Sequence, residues 1–178
     1  MYIGVRQAGN EACIYGVRHV YMTCMPEDIK IQTQRSTMKL QPYRRKINYY
    51  ETDQMQVVHH SNYARFLEEA RLDLMEQLGL PYGKMEELGI IIPVLELHDY
   101  YTMALHFGDT IDIFPVITRL TPVRFSLKYE IRSPEGELLH TAETSHAFVD
   151  TEFKPMNMKK RFPEIYENML QAVEDASI

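Results

Sequence analysis

In the stretch "YYETDQMQVVHHSNYARFLEEAR", residues 49 to 71, the carboxylate Asp53 stands seven residues ahead of His60, within a His-His-Ser-Asn run that opens a helical pattern. A carboxylate can act as a base or a nucleophile. A helix opening near His60 to Tyr63 presents unsatisfied backbone N–H groups and the positive end of its dipole, a place suited to a polarised carbonyl or a developing oxyanion. Brought to one spot, the two would serve acyl transfer to water. Thr52 and Asp53 are also good turn formers between a strand and a helix. The residues alone leave both readings open.

The other reactive side chains nearby point to structure. His59 and His60 are consecutive, so they point in different directions, and no HxxxH, HExxH or cysteine partner lies close. A metal would need ligands from remote strands, such as His98, His140 or His146, and no metal site is expected. His140 and His146 share one face of a strand candidate and read as packing or hydrogen-bonding residues. Ser61 and Asn62 are good N-cap residues. No Gly-x-Ser-x-Gly elbow surrounds Ser61, which argues against a serine nucleophile. Glu68 and Arg71 form an i,i+3 pair expected on a solvated side, and neither they nor Glu69 are assigned chemistry. The basic runs "RRK" (44 to 46) and "KKR" (159 to 161) read as solvated faces, able at most to meet the phosphates of a nucleotide-bearing ligand.

At 178 residues, with 45% apolar and 25% charged content, the chain is sized for one self-sufficient core. No apolar run is long enough for a membrane helix. A net charge of -6 argues against a nucleic-acid surface, whose affinity comes mainly from neutralising phosphates. Both cysteines, Cys13 and Cys24, fall in the first 37 residues, so the remainder has no disulfide or thiolate metal site, and a reducing, cytoplasmic setting is expected. Residues 1 to 37 show neither a helical nor a strand period and lack the features of a secretory signal. Met38 opens a segment that looks like a natural protein start. Residues 1–37 are therefore expected to be a non-core extension or a start-site artefact, and residues 38–178 the domain.

The elements that must position Asp53 and the helix opening follow from periodicity. "YRRKINYY" alternates weakly as a strand. "NYARFLEEARLDLMEQLG" carries Tyr63, Phe66, Leu67, Ala70, Leu74 and Leu78 at spacings of three and four, one apolar stripe closed by Gly79 and Pro81. "PYGKMEELG" predicts a short second helix stopped by Gly89. "IIIPVLELHDYYTMA", "DTIDIFPVITRL", "VRFSLKYEIR" and "GELLHTAETSHAFVD" predict four strands, joined by turn signals whose shortness implies antiparallel neighbours. In the third of them Val123, Phe125, Leu127, Tyr129 and Ile131 face one way and Arg124, Ser126, Lys128, Glu130 and Arg132 the other. "MKKRFPEIYENMLQAVEDA" predicts a peripheral C-terminal helix. The expected class is α+β, one antiparallel sheet with a long striped helix against its dry face.

With these elements in order, the opening stretch closely resembles the signature of acyl-CoA thioesterases of the 4-hydroxybenzoyl-CoA thioesterase type, which have the hot-dog fold. The resemblance runs from about residue 42 to about residue 158 and includes "LGIIIPVLEL", "HFGDTIDI" and "PEGELLHTAETSHAFVD" in sequence. It implies an antiparallel sheet wrapped around a long central helix, pairing into homodimers with continuous sheets or into homotetramers, with sites at subunit interfaces. It implies hydrolysis of an acyl-CoA, or an acyl carrier protein thioester, to the free acid without metal or organic cofactor. By position, Asp53 corresponds to the catalytic carboxylate, and the backbone N–H of His60 to the group that polarises the thioester carbonyl. Gln56, Val58, His59, Asn62 and Tyr63 fall at substrate-binding positions. One departure is Gln56, where the family commonly has Gly. That departure keeps a second class of function in view, a non-catalytic acyl-thioester binding protein on the same fold. A hot-dog hydratase, which wants a different His and acid arrangement, fits the signature less well.

Overall fold

The computed structural model describes residues 40–175. The expected extension over residues 1–37, both cysteines and the domain start at Met38 lie outside the described residues. The element order is β1 (Tyr43–Lys46), a 3-10 turn (Tyr49–Glu51), α1 (Ser61–Gln77), α2 (Tyr82–Glu87), β2 (Val94–Tyr101), β3 (Thr110–Thr121), β4 (Arg124–Arg132), β5 (Leu138–Ala147), α3 (Met158–Arg161) and α4 (Pro163–Asp175). The first predicted strand is shorter than expected. Its pairing with β3 runs only from Tyr43 to Lys46, after which Ile47 turns inward and Tyr49 and Tyr50 lie exposed on the 3-10 turn.

Both helices stop where the glycines predict, by one mechanism. Gly79 adopts φ +82° and the N–H of Leu80 returns to the carbonyl of Met75 at 2.9 Å; Gly89 adopts φ +66° and the N–H of Ile90 returns to Met85 at 2.8 Å. These are Schellman closures, in which the left-handed residue frees the next amide to satisfy an orphan carbonyl. Leu80 and Ile90, the residues carrying those amides, are buried against the core.

The five strands form one antiparallel sheet in the order β1-β3-β4-β5-β2. The inference from short connections holds for β3 with β4 and for β4 with β5. It fails for β2 and β3, which end up on different sides of the sheet. The segment between them is a strap and not a hairpin. Its Met103 N–H bonds the carbonyl of Leu139 at 3.0 Å, the Leu105 carbonyl accepts the N–H of Val58 at 2.8 Å, and His106 bridges to Val57. This strap carries the chain from the β5 side to the loop ahead of α1, and Leu105 is buried beneath that loop.

The striped face of α1 is buried as its period requires, with Tyr63, Phe66, Leu67, Ala70, Leu74 and Leu78 all in the core, in one cluster with Phe125, Leu127, Tyr129 and Ile131 of β4. The C-terminal helix is neither single nor peripheral. Pro163, which cannot continue a helix interior, separates α3 from α4. Met158, Ile165, Tyr166, Met169 and Ala172 belong to the same core. Each large side chain so buried is worth about 1.5–3 kcal/mol, too much for a helix merely resting on the surface.

A buried polar chain crosses this core. Arg71 is 7% exposed and His146 is fully buried, which corrects the placement of Arg71 on a solvated side. The Arg71 guanidinium reaches Glu68 Oε1 at 3.0 Å and His146 Nδ1 at 3.3 Å, while His146 Nε2 lies 2.7 Å from Thr144 Oγ1. Arginine can only donate, so Nδ1 is the acceptor and the imidazole is neutral with its proton on Nε2. Burial first, and the Arg71 charge second, pull His146 down to about 3. In the unfolded chain the imidazole regains its ordinary value near 6.5. Above that pH neither state is protonated and the residue is neutral in effect. As pH falls below 6.5, the unfolded chain takes up the proton first and stability is lost by up to about 1.4 kcal/mol per pH unit. Unfolding free energies from urea titrations at pH 7 and pH 5 are expected to show this loss, and His146→Gln to reduce it.

Candidate active site

The path from β1 into α1 is fixed by one buried cation. Arg45 sits on the inward side of β1, its guanidinium carbon 3.8 Å above the centre of the Phe66 ring. It pairs with Glu51 through Nη2 and with Glu69 Oε2 through Nη1 at 2.8 Å. The second carboxylate oxygen of Glu51 accepts the N–H of Asn48 at 2.7 Å. Strand, 3-10 turn and helix are thereby tied to a single charge, which an unpaired burial would make costly.

Glu51 also acts through its backbone. Its carbonyl accepts the N–H of His59 at 2.9 Å and the Nδ2–H of Asn62 at 2.8 Å. The two ends of the intervening loop therefore meet, and Thr52 bridges to Val58. Inside this closed loop Asp53 forms the turn: its N–H donates to Val57 O at 2.9 Å, its carbonyl accepts from Gln56 at 2.9 Å, and Oδ1 accepts the N–H of Met55 at 2.8 Å. Oδ2 makes no hydrogen bond among the described residues. The turn-former reading of Asp53 and the chemical one are thus compatible.

The backbone donors at the helix opening can be accounted for one by one. The N–H of His59 goes to Glu51, that of Ser61 to His59 Nδ1 at 3.3 Å, that of Asn62 to the His59 carbonyl at 2.9 Å, and that of Tyr63 to the His60 carbonyl at 3.3 Å. The N–H of His60 has no acceptor among the described residues. An amide in this place, at the positive end of a 17-residue helix, is suited to a polarised carbonyl oxygen.

Asp53 and Gln56 line an open cleft of about 810 Å³ with Tyr49, Tyr50, His106 and Phe107. Tyr49 and Phe107 meet edge to face with ring centres 5.8 Å apart, so the cleft has an aromatic wall. His59 and His60 do not line it; their rings meet at a tilt with centres 4.1 Å apart. Val58 and Tyr63 are core residues, 5% and 3% exposed. Tyr63 packs between Tyr101 and His140, and burial is the main cause that pushes its phenol up to about 12, keeping it protonated. The helix-capping roles expected for Ser61 and Asn62 are not present. His60 occupies the cap position, Ser61 bonds the His59 ring at 2.8 Å, and Asn62 is buried and turned back to Glu51. His140 and His146 hold the structural places expected of them, His140 Nε2 lying 2.9 Å from Asp99 Oδ1. Among the described residues no group of three His, Cys, Asp or Glu side chains converges as a metal site.

Arg45, Glu51 and the true role of Asn62 escape a reading by residue type. The Asn-x-x-Glu spacing of Asn48 and Glu51 is the one local signal that points to a fixed turn there. Of the basic run at 44 to 46, Arg45 alone turns inward; Lys46 is exposed, and Arg44 forms a bidentate pair with Asp112 at 2.6 Å on both arms from the solvated side.

The sheet order, the central helix and the loop that meets its first turn define a hot-dog fold of α+β class. A family profile described as the thioesterase-like superfamily matches residues 47–173, and the chain belongs to that superfamily. A Bacillus subtilis (strain 168) protein provisionally named as an acyl-CoA thioesterase is 38% identical over 120 residues, which are 67% of this chain and 87% of that protein. A 1,4-dihydroxy-2-naphthoyl-CoA hydrolase of Thermosynechococcus vestitus is 31% identical over 60% of this chain and 74% of its own length. Among solved structures, the DHNA-CoA thioesterase of Staphylococcus aureus superposes with a TM-score of 0.72 at 32% identity, covering 78% of this chain and 95% of that one.

Gln56 has φ +64°, in the left-handed region where a side chain is strained and glycine is not. This is a physical reason for the Gly common in the family: the turn behind the acid needs it. The Gln56 side chain is exposed and makes no hydrogen bond among the described residues, so it gives little back. Gln56→Gly is expected to stabilise the fold by about 0.5–1 kcal/mol in chemical denaturation, the reverse of the usual effect of glycine.

Proposed function

We propose that this enzyme hydrolyses an acyl-CoA thioester to the free acid and CoA. The thioester carbonyl would lie between Asp53 and the His60 N–H, its oxygen receiving that N–H. The Asp53 carboxylate either attacks the carbonyl carbon, expelling the CoA thiolate and leaving an anhydride that water opens, or removes a proton from the water that attacks. The observation that carries the reading is the donor account at the helix opening, where the His60 amide is left without an acceptor among the described residues, at the end of the closed loop that holds Asp53. A single backbone donor suffices for a thioester because the thiolate is a good leaving group, so a strong general acid is not needed. Gln56 borders the cleft, and His59 fixes the helix opening through Ser61.

The aromatic wall of Tyr49 and Phe107 beside Asp53 favours an aromatic acyl group, in keeping with the names of two relatives. The cleft is open on the single chain, as it would be if a second subunit completed it. β2 supports such an assembly: it is an edge strand whose Val94, Leu95, Leu97, Tyr100 and Tyr101 are exposed, and an unpaired apolar edge invites pairing. The proposed unit is a homodimer joined through β2.

Thiol release from acetyl-, hexanoyl-, palmitoyl- and benzoyl-CoA, with wild type and Asp53→Asn side by side, tests the reaction. Hydrolysis is expected, fastest with the aromatic thioester, and kcat is expected to fall by about 10²–10⁴ in the variant. Binding without turnover in the wild type would instead identify a thioester-binding protein. Sedimentation is expected to give twice the chain mass, falling to the single-chain mass in Leu97→Lys, which places a charge on the edge strand.

A further inference from the structure

A second cavity lies away from the Asp53 cleft, beneath α2 and beside the C-terminal half of α1. It encloses about 520 Å³, a size that suits a small organic ligand. Its wall is apolar, formed by Leu72, Met75, Met85 and the Ile90–Ile92 run, and the buried Arg71 guanidinium is set into it. That charge is weakly balanced. His146 on its inner side is a neutral acceptor, and among the described residues the carboxylate that touches it is Glu68, whose side chain is 60% exposed. The other acid on the rim, Glu86, is engaged by the Tyr82 hydroxyl. A guanidinium held 7% exposed, with an exposed surface carboxylate as its counter-ion among the described residues and an apolar chamber in front of it, is complementary to an amphipathic anion.

We propose that this cavity binds a small apolar carboxylic acid, its carboxylate displacing Glu68 from Arg71 and its hydrocarbon part lying against Leu72, Met75 and Met85. The site is separate from the thioester chemistry and does not rest on it. The occupant is defined by both halves of the cavity: inorganic anions would leave the apolar wall empty, and neutral apolar molecules would leave the Arg71–Glu68 pair undisturbed.

Calorimetric titration of the full chain with sodium hexanoate and with hexan-1-ol tests the site. Hexanoate is expected to bind about tenfold more tightly than the alcohol, the margin of a charge-assisted contact over a neutral one. Glu68→Gln removes an exposed competitor, and is expected to tighten hexanoate about threefold while leaving hexan-1-ol unchanged. Leu72→Trp, which fills the cavity from its half-buried rim, is expected to abolish binding of both. Asp53→Asn is expected to bind hexanoate as the wild type does, so the site stands or falls apart from thioester hydrolysis. No binding of either ligand, equal affinity for acid and alcohol, no response to Glu68→Gln, or loss of hexanoate in Asp53→Asn would each overturn the assignment.

Discussion

A guanidinium taken out of water must be surrounded by partners, and Arg45 recruits them from three directions. Glu51 comes from the 3-10 turn, Glu69 from α1, and the face of Phe66 from the core side of the same helix. Removing one partner would leave the charge buried and short of compensation, which typically costs several kcal/mol, so the three elements hold one another in register. Once Glu51 is fixed, its carbonyl has a defined position, and the ends of the Asp53 loop have somewhere to close. The site is built outward from that cation.

What the sequence made legible was periodic or local. The stripe of α1, the alternation of β4 and the glycine stops at Gly79 and Gly89 are short-range patterns, and each sits where the pattern put it. The strand order was less readable, because a connection of a given length can turn back or pass on, and the strap from Tyr101 to Thr110 passes on. Arg71 shows a further limit. Its i,i+3 spacing to Glu68 suggested a surface pair, yet its decisive partner, His146, is 75 residues away. Met169 and its neighbours were likewise given to the surface because the helix that bears them looks amphipathic, and the sequence cannot say what its apolar side will meet.

The proposed site divides in the same way. Asp53 and the helix opening could be found from residue type and spacing. The bonds that close the loop between them could not, because they join the Glu51 carbonyl to the amide of His59 and to a buried Asn eleven residues on. Gln56 is the converse case: the departure from the family pattern was visible in the sequence, but its meaning is a backbone angle.

The closure of the Asp53 loop on the carbonyl of Glu51 also bears on how the protein can vary over generations. Every amino acid except in its side chain offers the same carbonyl, so no substitution at position 51 deletes the acceptor itself. The partner amide of His59 is similarly anonymous, lost only to proline. Genetic change can therefore reach this latch directly through Asn62, and indirectly through the Arg45 pair that holds the turn. Drift in the exposed side chains of Gln54 and Met55 can proceed while the base of the loop stays shut, leaving the neighbourhood of the acid open to diversification on a fixed mount.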